Sequence, residues 1–376
     1  MPKYRFEDIA FNITQKRKPT SDDMKTYIGL EHLDSGSLSV TRWGSDVPIK
    51  GDKLLMQKGD ILFGKRNAYL RRAAIAPHDG LFSAHGMILR PNEKVISRKL
   101  FPFFICSDYF FDAAIRISVG SLSPTINWSA LKELEFILPH MNKQEKLADL
   151  LWAANDTKEA YKRLLYLTDE LVKSQFIEMF GDLTRKSNDW SYSPLREHAD
   201  ILAGNPFDSS GYVDNGINIC GGLIIMPDRI AWEEAKKWPS TEGLDKYLLQ
   251  ERDIVLAMDR PWISSGFKIA MIKQSELPAL LIQRTARIRS KDLNQQYILW
   301  VLKSDAFLKH CNITQTTVPH ISMGDIKNYN IPIPPISLQN QFADFVQQTD
   351  KSKFELKQNI ENLETTIKAL MLKNFG

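Results

Sequence analysis

Cysteine is almost missing from this chain: 376 residues contain only Cys106, Cys220 and Cys311, far apart and without CxxC spacing. That usage excludes a disulfide framework and a cysteine zinc site, and fits the reduced thiols of a cytoplasmic protein. No run of 18 or more apolar residues occurs, so no membrane-spanning helix is expected. The opening Met-Pro-Lys-Tyr-Arg carries no apolar signal segment. Net charge is small, +4 from 49 Lys/Arg against 45 Asp/Glu, which excludes a uniformly basic, non-specific nucleic-acid binder. The seven histidines are scattered and none pairs with another at i+4, so metal chemistry is not expected. Enzyme signatures are missing too: there is no phosphate or dinucleotide loop, no HExxH, no GxSxG and no Asn/Asp-Pro-Pro-Tyr. Pro227-Asp228-Arg229 before Glu234-Ala235-Lys236 is a faint nuclease-like pattern. Its spacing is too short for two strands, and a solvated helix over 232–238 accounts for it.

What the chain does contain is a duplication. Residues 124–181 read against 319–376 without a gap, with Pro124/Pro319, Lys132/Lys327, Pro139/Pro334, Gln144/Gln339, Lys158/Lys353 and Phe180/Phe375 identical. A unit this large is a duplicated domain, not a short solenoid repeat. Four segments follow: a mixed module over 1–140, a helix over 141–181, a second mixed module over 182–335 and a second helix over 336–376. The first module holds 20 Lys/Arg against 15 Asp/Glu, while the second holds 18 of each. Any nucleic-acid binding must therefore come from local patches.

The helical segments show one apolar stripe each. Leu147, Leu151, Tyr161, Leu165 and Val172 recur at three- and four-residue steps, as do Phe342, Val346, Leu356, Ile360 and Ile367. Gly181 is a natural C-cap, and 39 residues at 1.5 Å each make roughly 58 Å of helix. A stripe of that length needs an equally long partner. The two segments most simply pair as an antiparallel coiled coil, with Thr168, Ser352 and Asn359 helping to fix register; pairing between chains is the competing arrangement. The expected fold is α+β: two similar mixed α/β recognition modules separated by two long antiparallel helices. Within the first module, 102–117 reads as one Phe-rich helix.

Asp60-Ile-Leu-Phe in the first module answers Asp253-Ile-Val-Leu in the second, and each run leads into a polar loop. The first loop packs Lys65, Arg66, Asn67, Tyr69, Arg71 and Arg72 into a few residues. These are the side chains that bridge phosphates, read guanine or adenine edges and contact sugars. The second carries Asp259, Arg260, Trp262, Ser264, Ser265 and Lys268 at the same place. Weaker candidates are the basic turn Lys16-Arg17-Lys18, and a strand on which Gln283 and Thr285 share a face beside Arg284. The hydroxyl-rich segments with Ser121, Ser123 and Thr125, and with Thr316, Thr317 and His320, complete the set. For the two loops the base-or-phosphate reading is favoured, with Arg71 and Arg72 as solvated strand ends and Trp262 as a core plug the alternatives; for the three weaker patches a purely solvated role is at least as plain a reading.

In its order of features the chain resembles the DNA specificity subunit of type I restriction-modification systems. The features are the duplicated module, the paired Asp-Ile strands with their loops, and the closing Ile331-Pro-Ile-Pro-Pro-Ile-Ser-Leu-Gln-Asn-Gln-Phe342 that runs into a long helix. The resemblance implies a non-catalytic subunit with two target-recognition domains, each reading half of a bipartite, asymmetric site in double-stranded DNA. It implies helices acting as a ruler for the half-site spacing. It implies as partners two adenine methyltransferase subunits and ATP-dependent motor-nuclease subunits, which would carry S-adenosylmethionine and ATP, leaving this chain without a cofactor. The alternative is a detached recognition part of a fused restriction–methylation enzyme, or a cryptic nuclease.

Overall fold

The computed structural model describes residues 1–185, 189–311 and 319–375. It divides into two compact units: Met1–Leu164 with Glu355–Gly376, and Leu165–Phe354.

In the first unit, Ala10–Ile13, Met87–Pro91, Ile61–Phe63 and Ala73–Ile75 form an antiparallel sheet in that spatial order. A second sheet orders Lys16–Arg17, Lys53–Met56 and Gly80–Phe82. The strand Ile61–Phe63 is buried on both faces, as a short continuous apolar run implies. Ile61 and Phe63 enter a core with Phe104 and Phe110, while Leu62 points the other way into a smaller one with Met56, Phe82 and Ile88. The Phe-rich stretch is two helices rather than one, Phe101–Cys106 and Asp108–Arg116. Ser107 breaks it because its backbone is extended and its hydroxyl accepts from the Phe110 N–H at 3.1 Å, capping the second helix.

The second unit repeats this plan. Ala199–Ala203, Thr285–Ser290, Ile254–Ala257 and Ile269–Met271 form a sheet of equivalent strand order. Gln295–Leu302 and Asp305–His310 follow, with Ser304 as the cap. Residues 232–238 are not a helix: a single turn at Trp232–Glu234 leads into the strand Lys237–Trp238, which pairs with Ile217–Cys220.

Two polar devices recur in both units. The register pairing Ile61 with Leu89 brings Asp60 opposite Arg90, and the register pairing Ile254 with Ile288 brings Asp253 opposite Arg289. Each carboxylate is buried and gripped by both arms of its arginine, at 2.8 and 3.0 Å for Asp60 and 2.7 and 2.8 Å for Asp253. Each also accepts a backbone N–H, from Gln57 at 2.9 Å and Gln250 at 2.7 Å. The second device is the repeated glutamine. Gln144 accepts from the Ser97 N–H at 2.7 Å and donates to the carbonyls of Val95 and Pro139. Gln339 accepts from the Asn294 N–H at 2.8 Å and donates to the Pro334 carbonyl at 2.9 Å. Both amides are buried, so each pins the first turn of a long helix to its module. Gln144→Ala or Gln339→Ala is expected to cost about 1–3 kcal/mol by orphaning buried backbone groups, read as a lowered denaturant midpoint at unchanged slope.

The long helices are Met141–Phe180 and Ile336–Phe375, 40 residues and therefore about 60 Å each. Gly181, at φ +80°, ends the first with its N–H donated to the Ile177 carbonyl at 2.8 Å. In the first unit Leu147 and Leu151 share a core with Ile367, Met371 and Phe375. In the second, Val172, Phe176 and Phe180 share one with Phe342 and Val346. The start of one helix thus meets the end of the other in each unit, and the pairing is antiparallel. Tyr161, Leu165, Leu356 and Ile360 are half-buried along the same stripes. Steps of four and three through 342, 346, 349, 353, 356, 360 and 363 average 3.5 residues, the period of a left-handed coiled coil. Ser352 and Asn359 are exposed because each falls one position off this seam. Thr168 is half-buried, and beyond Gln144 and Gln339 the buried polar residues of the described long helices are Asn155, Lys158 and Thr349, joined by the half-buried Lys353, whose ammonium lies 2.6 Å from Asp169.

Candidate nucleic-acid interface

In the first unit the loop 64–72 springs from the buried strand Ile61–Phe63 and is closed by the Gly64 N–H on the Arg72 carbonyl at 2.8 Å. It rests on the hydroxyl-rich segment. The Ile126 N–H donates to Lys65 at 2.9 Å and the Ala68 N–H to the Pro124 carbonyl at 3.2 Å. That segment is itself a hairpin, with Val119 and Thr125 exchanging backbone hydrogen bonds at 3.0 and 2.9 Å. Two candidate stretches distant in sequence therefore share one ledge.

The cations on this ledge crowd one another. Burial, with Lys16 and Arg66 nearby, holds the Lys65 ammonium below its ordinary pKa. Burial, with Arg66, Lys65 and Lys53, likewise depresses His85, whose Nδ1 sits 3.4 Å from the Arg66 guanidinium. Among the described residues, none of Lys16, Lys65 and Arg66 forms an ion pair. Like charges held together without counter-charges create the positive potential that suits a phosphate chain. Tyr69, Lys18 and Ser121 are exposed nearby in sequence, Ser123 is half-buried, and the Thr125 hydroxyl donates to the Ser123 carbonyl at 3.0 Å.

Other expected contacts are engaged elsewhere. Arg17 grips Asp23 with both arms at 2.6 and 2.7 Å. Arg71 is held by Asp108 and Asp112, and Arg72 donates to the Leu30 carbonyl at 3.2 Å. These three brace the module, because their partners neutralise or occupy them. Asn67 is half-buried at φ +53°, and its side-chain oxygen is buried without a partner. The Arg17 hydrogen bonds hold the Asp23 carboxyl well below the usual carboxylate range, with Thr20 adding to the effect. A folded-state value below the unfolded one means stability that is present above about pH 4 and lost as pH falls through the folded value. Asp23→Asn is therefore expected to lower the denaturant midpoint at pH 7, with the gap to wild type narrowing steadily below pH ~4.

The second unit builds its ledge the same way. The Ile321 N–H donates to Met258 at 2.8 Å, and the Arg260 N–H donates to the carbonyl of the repeated Pro319 at 3.0 Å. Asp259 takes the place of the crowded cations. It accepts from Arg284 at 2.8 Å and from His320 Nδ1 at 2.6 Å. Burial pushes its carboxyl up, but His320 and Arg284 outweigh this and leave it below the ordinary value. Arg284 is 76% exposed, and one of its guanidinium nitrogens rests on Asp259, leaving the other donors of the fork open to solvent. Arg260, Trp262, Ser264 and Ser265 are exposed on the neighbouring loop.

Three residues of this unit do not face outward as expected. Lys268 is buried, where loss of water depresses its pKa, and it donates to the Gly222 carbonyl. Thr285 is fully buried and donates to the Ile282 carbonyl. Gln283 accepts the Phe207 N–H at 3.1 Å. Gln283 and Arg284 form a turn between the strands Ala279–Leu281 and Thr285–Ser290, with Arg284 at φ +63°, and the face that Gln283 and Thr285 share is turned inward while Arg284 points out. Thr316 and Thr317 lie outside the described residues. Lys53 and His85 join the first ledge without having been singled out. Lys53 sits on a strand beside Arg17, a pairing that no local motif announces.

Among the described residues no group of three or more His, Cys, Asp or Glu could hold a metal ion. Asp228 of the nuclease-like pattern is paired with Lys303 at 2.7 Å, and burial pushes the Cys106 and Cys311 thiols up to about 12. No described helix is long and apolar enough to cross a membrane.

Residues 3–164 and 189–365 each match the family described as the type I restriction modification DNA specificity domain. The MjaVIII specificity subunit of Methanocaldococcus jannaschii is 26% identical over 368 residues, covering 92% of this chain and 84% of that protein. The EcoAI specificity subunit of Escherichia coli is 27% identical over 217 residues, 53% of this chain and 37% of that protein. Among solved structures, a type I system S subunit from M. genitalium superposes with a TM-score of 0.59 at 13% identity, covering all of this chain and 96% of that one. A chain from a study of type I restriction-modification complex assembly superposes at 0.56 with 18% identity, covering all of this chain and 97% of that one. At these identities the superpositions show a shared fold.

Proposed function

We propose, from the premise that this chain belongs to the type I restriction-modification DNA specificity family, that it is the non-catalytic subunit that reads a bipartite, asymmetric DNA site. The observation that carries the reading is the matched pair of ledges. Both grow from equivalent strands, both are pinned through a repeated proline, and they bear different side chains, Lys16, Lys65 and Arg66 in one and Asp259, Arg284 and His320 in the other. One scaffold carrying two reading surfaces is what an asymmetric site needs. The helices, about 60 Å long, would act as the ruler between half-sites, spanning at most about 17 base pairs at 3.4 Å each. Tyr166, Leu167, Leu171 and Ile177 are exposed on the first helix, an apolar face for docking adenine methyltransferase subunits and, in a full assembly, motor-nuclease subunits. Catalysis, S-adenosylmethionine and ATP would reside in those partners.

Methylome sequencing of a host expressing this chain with its cognate methyltransferase subunit tests the reading. The expected result is one interrupted motif with adenine modified in both halves. Cleavage or methylation of DNA by the pure chain alone would overturn it.

A further inference from the structure

The hairpin 119–125 ends in a side chain that no core claims. Leu122 is 94% exposed and Val119, at the hairpin's start, is 67% exposed. Such exposure on a loose loop would mean little, but this hairpin is not loose. Its strands exchange backbone hydrogen bonds, Gly120 turns it at φ +111°, and its second strand is sewn to Lys65 and Ala68 of the reading loop. A leucine kept in water on a braced mount, between two serines and beside cations without counter-charges, has an occupant suggested by its surroundings. A polyanion neutralises the cations, and of the polyanions nucleic acid carries its broadest apolar surface between its stacked bases, where a leucine can enter.

We propose that Leu122 is a wedge that enters a base step of the half-site bound by the first module. There it partly unstacks the pair and bends the duplex, while Lys65 and Arg66 hold the flanking phosphates. The proposal rests on the DNA-reading function above and adds to it a specificity element: steps that unstack easily, such as TA and CA, would be favoured at that position although no hydrogen bond reads them. Burying the exposed leucine would offset part of the unstacking cost.

The test uses the full chain with its methyltransferase subunit and duplexes carrying the motif, with 2-aminopurine walked through the first half-site. Expected is a fluorescence rise at one step only. Leu122→Ser should abolish that rise and weaken binding about tenfold, and Leu122→Phe should retain it. Fluorescence flat at every step, while Lys65→Ala/Arg66→Ala still weakens binding, would overturn the wedge and leave DNA reading intact. Loss of assembly with the methyltransferase subunit in Leu122→Ser, at unchanged fluorescence in whatever complex remains, would overturn it in favour of a protein contact. If Lys65→Ala/Arg66→Ala binds the motif as wild type does, the functional reading fails and the wedge with it.

Discussion

Asp253→Ala is expected to destabilise its unit by about 3–5 kcal/mol, the largest effect of any single substitution considered. The carboxylate is buried, and it is the counter-charge of Arg289 and the acceptor of the Gln250 N–H. Its removal leaves a partly buried guanidinium and a backbone donor without partners between the central strands of a sheet. Asp60→Ala should do the same in the first unit, where Arg90 and the Gln57 N–H take the corresponding places. The check is a denaturation curve. A loss confined to one unit should split the transition, with the intact unit melting at its original midpoint. The double substitution Asp253→Leu/Arg289→Leu separates charge orphaning from loss of the pair: it should cost far less than Asp253→Ala, since replacing both partners avoids an uncompensated charge. Equal losses would show that the pair itself, rather than its half-removal, sets the stability.

Lys16→Ala/Lys65→Ala/Arg66→Ala is expected to weaken DNA binding on the order of a hundredfold or more, from about 1 kcal/mol for each charge-assisted contact removed. The mark of a phosphate-binding role is salt dependence. Three lost contacts should flatten the plot of log affinity against log salt by roughly 2.7, or 0.9 per contact. Arg71→Ala, by contrast, removes a charge that Asp108 and Asp112 already neutralise, and should lower stability while leaving the salt slope unchanged. A slope unaltered by the triple substitution would remove the first ledge from the interface. Because Lys16 and Arg66 lie close enough to the Lys65 ammonium to repel it, the same substitution should raise the folded unit's tolerance of low salt.

Much of the architecture could be read from residue order because it is periodic or repeated. The stripes Leu147–Val172 and Phe342–Ile367, in their three- and four-residue steps, announced the paired helices. The Asp60 and Asp253 runs announced equivalent strands with loops after them. What local composition could not reveal was which charges are satisfied. Arg71 looks like a free cation until the fold brings up Asp108, 37 positions away, and Lys268 looks exposed until Gly222 receives it. The same blindness hid the role of Asp60 and Asp253. Their arginines come from a neighbouring strand, and only sheet register identifies them. The inward facing of Gln283 and Thr285 has a different origin: residues 283–284 are a turn, and which side of the following strand meets the core is decided by the sheet and not by local spacing. The Phe-rich stretch 102–117 divides because Ser107, one polar residue in an apolar run, is also a helix cap, which composition alone does not distinguish.

Six non-glycine residues hold positive φ among the described residues, and four of them, Asn67, Arg71, Arg260 and Arg284, lie on the two ledges. Such torsions cost of the order of 1 kcal/mol or more apiece and persist only where their surroundings insist. The ledges are thus shaped before any ligand arrives, so association need not freeze them and their rigidity can be converted into selectivity. Glycine in place of Asn67, Arg260 or Arg284 would relieve the torsion and take away the side chain that the torsion presents. At Arg71 the exchange would also release Asp108 and Asp112, so comfort of the backbone and grip of the side chain are opposed at the same angle.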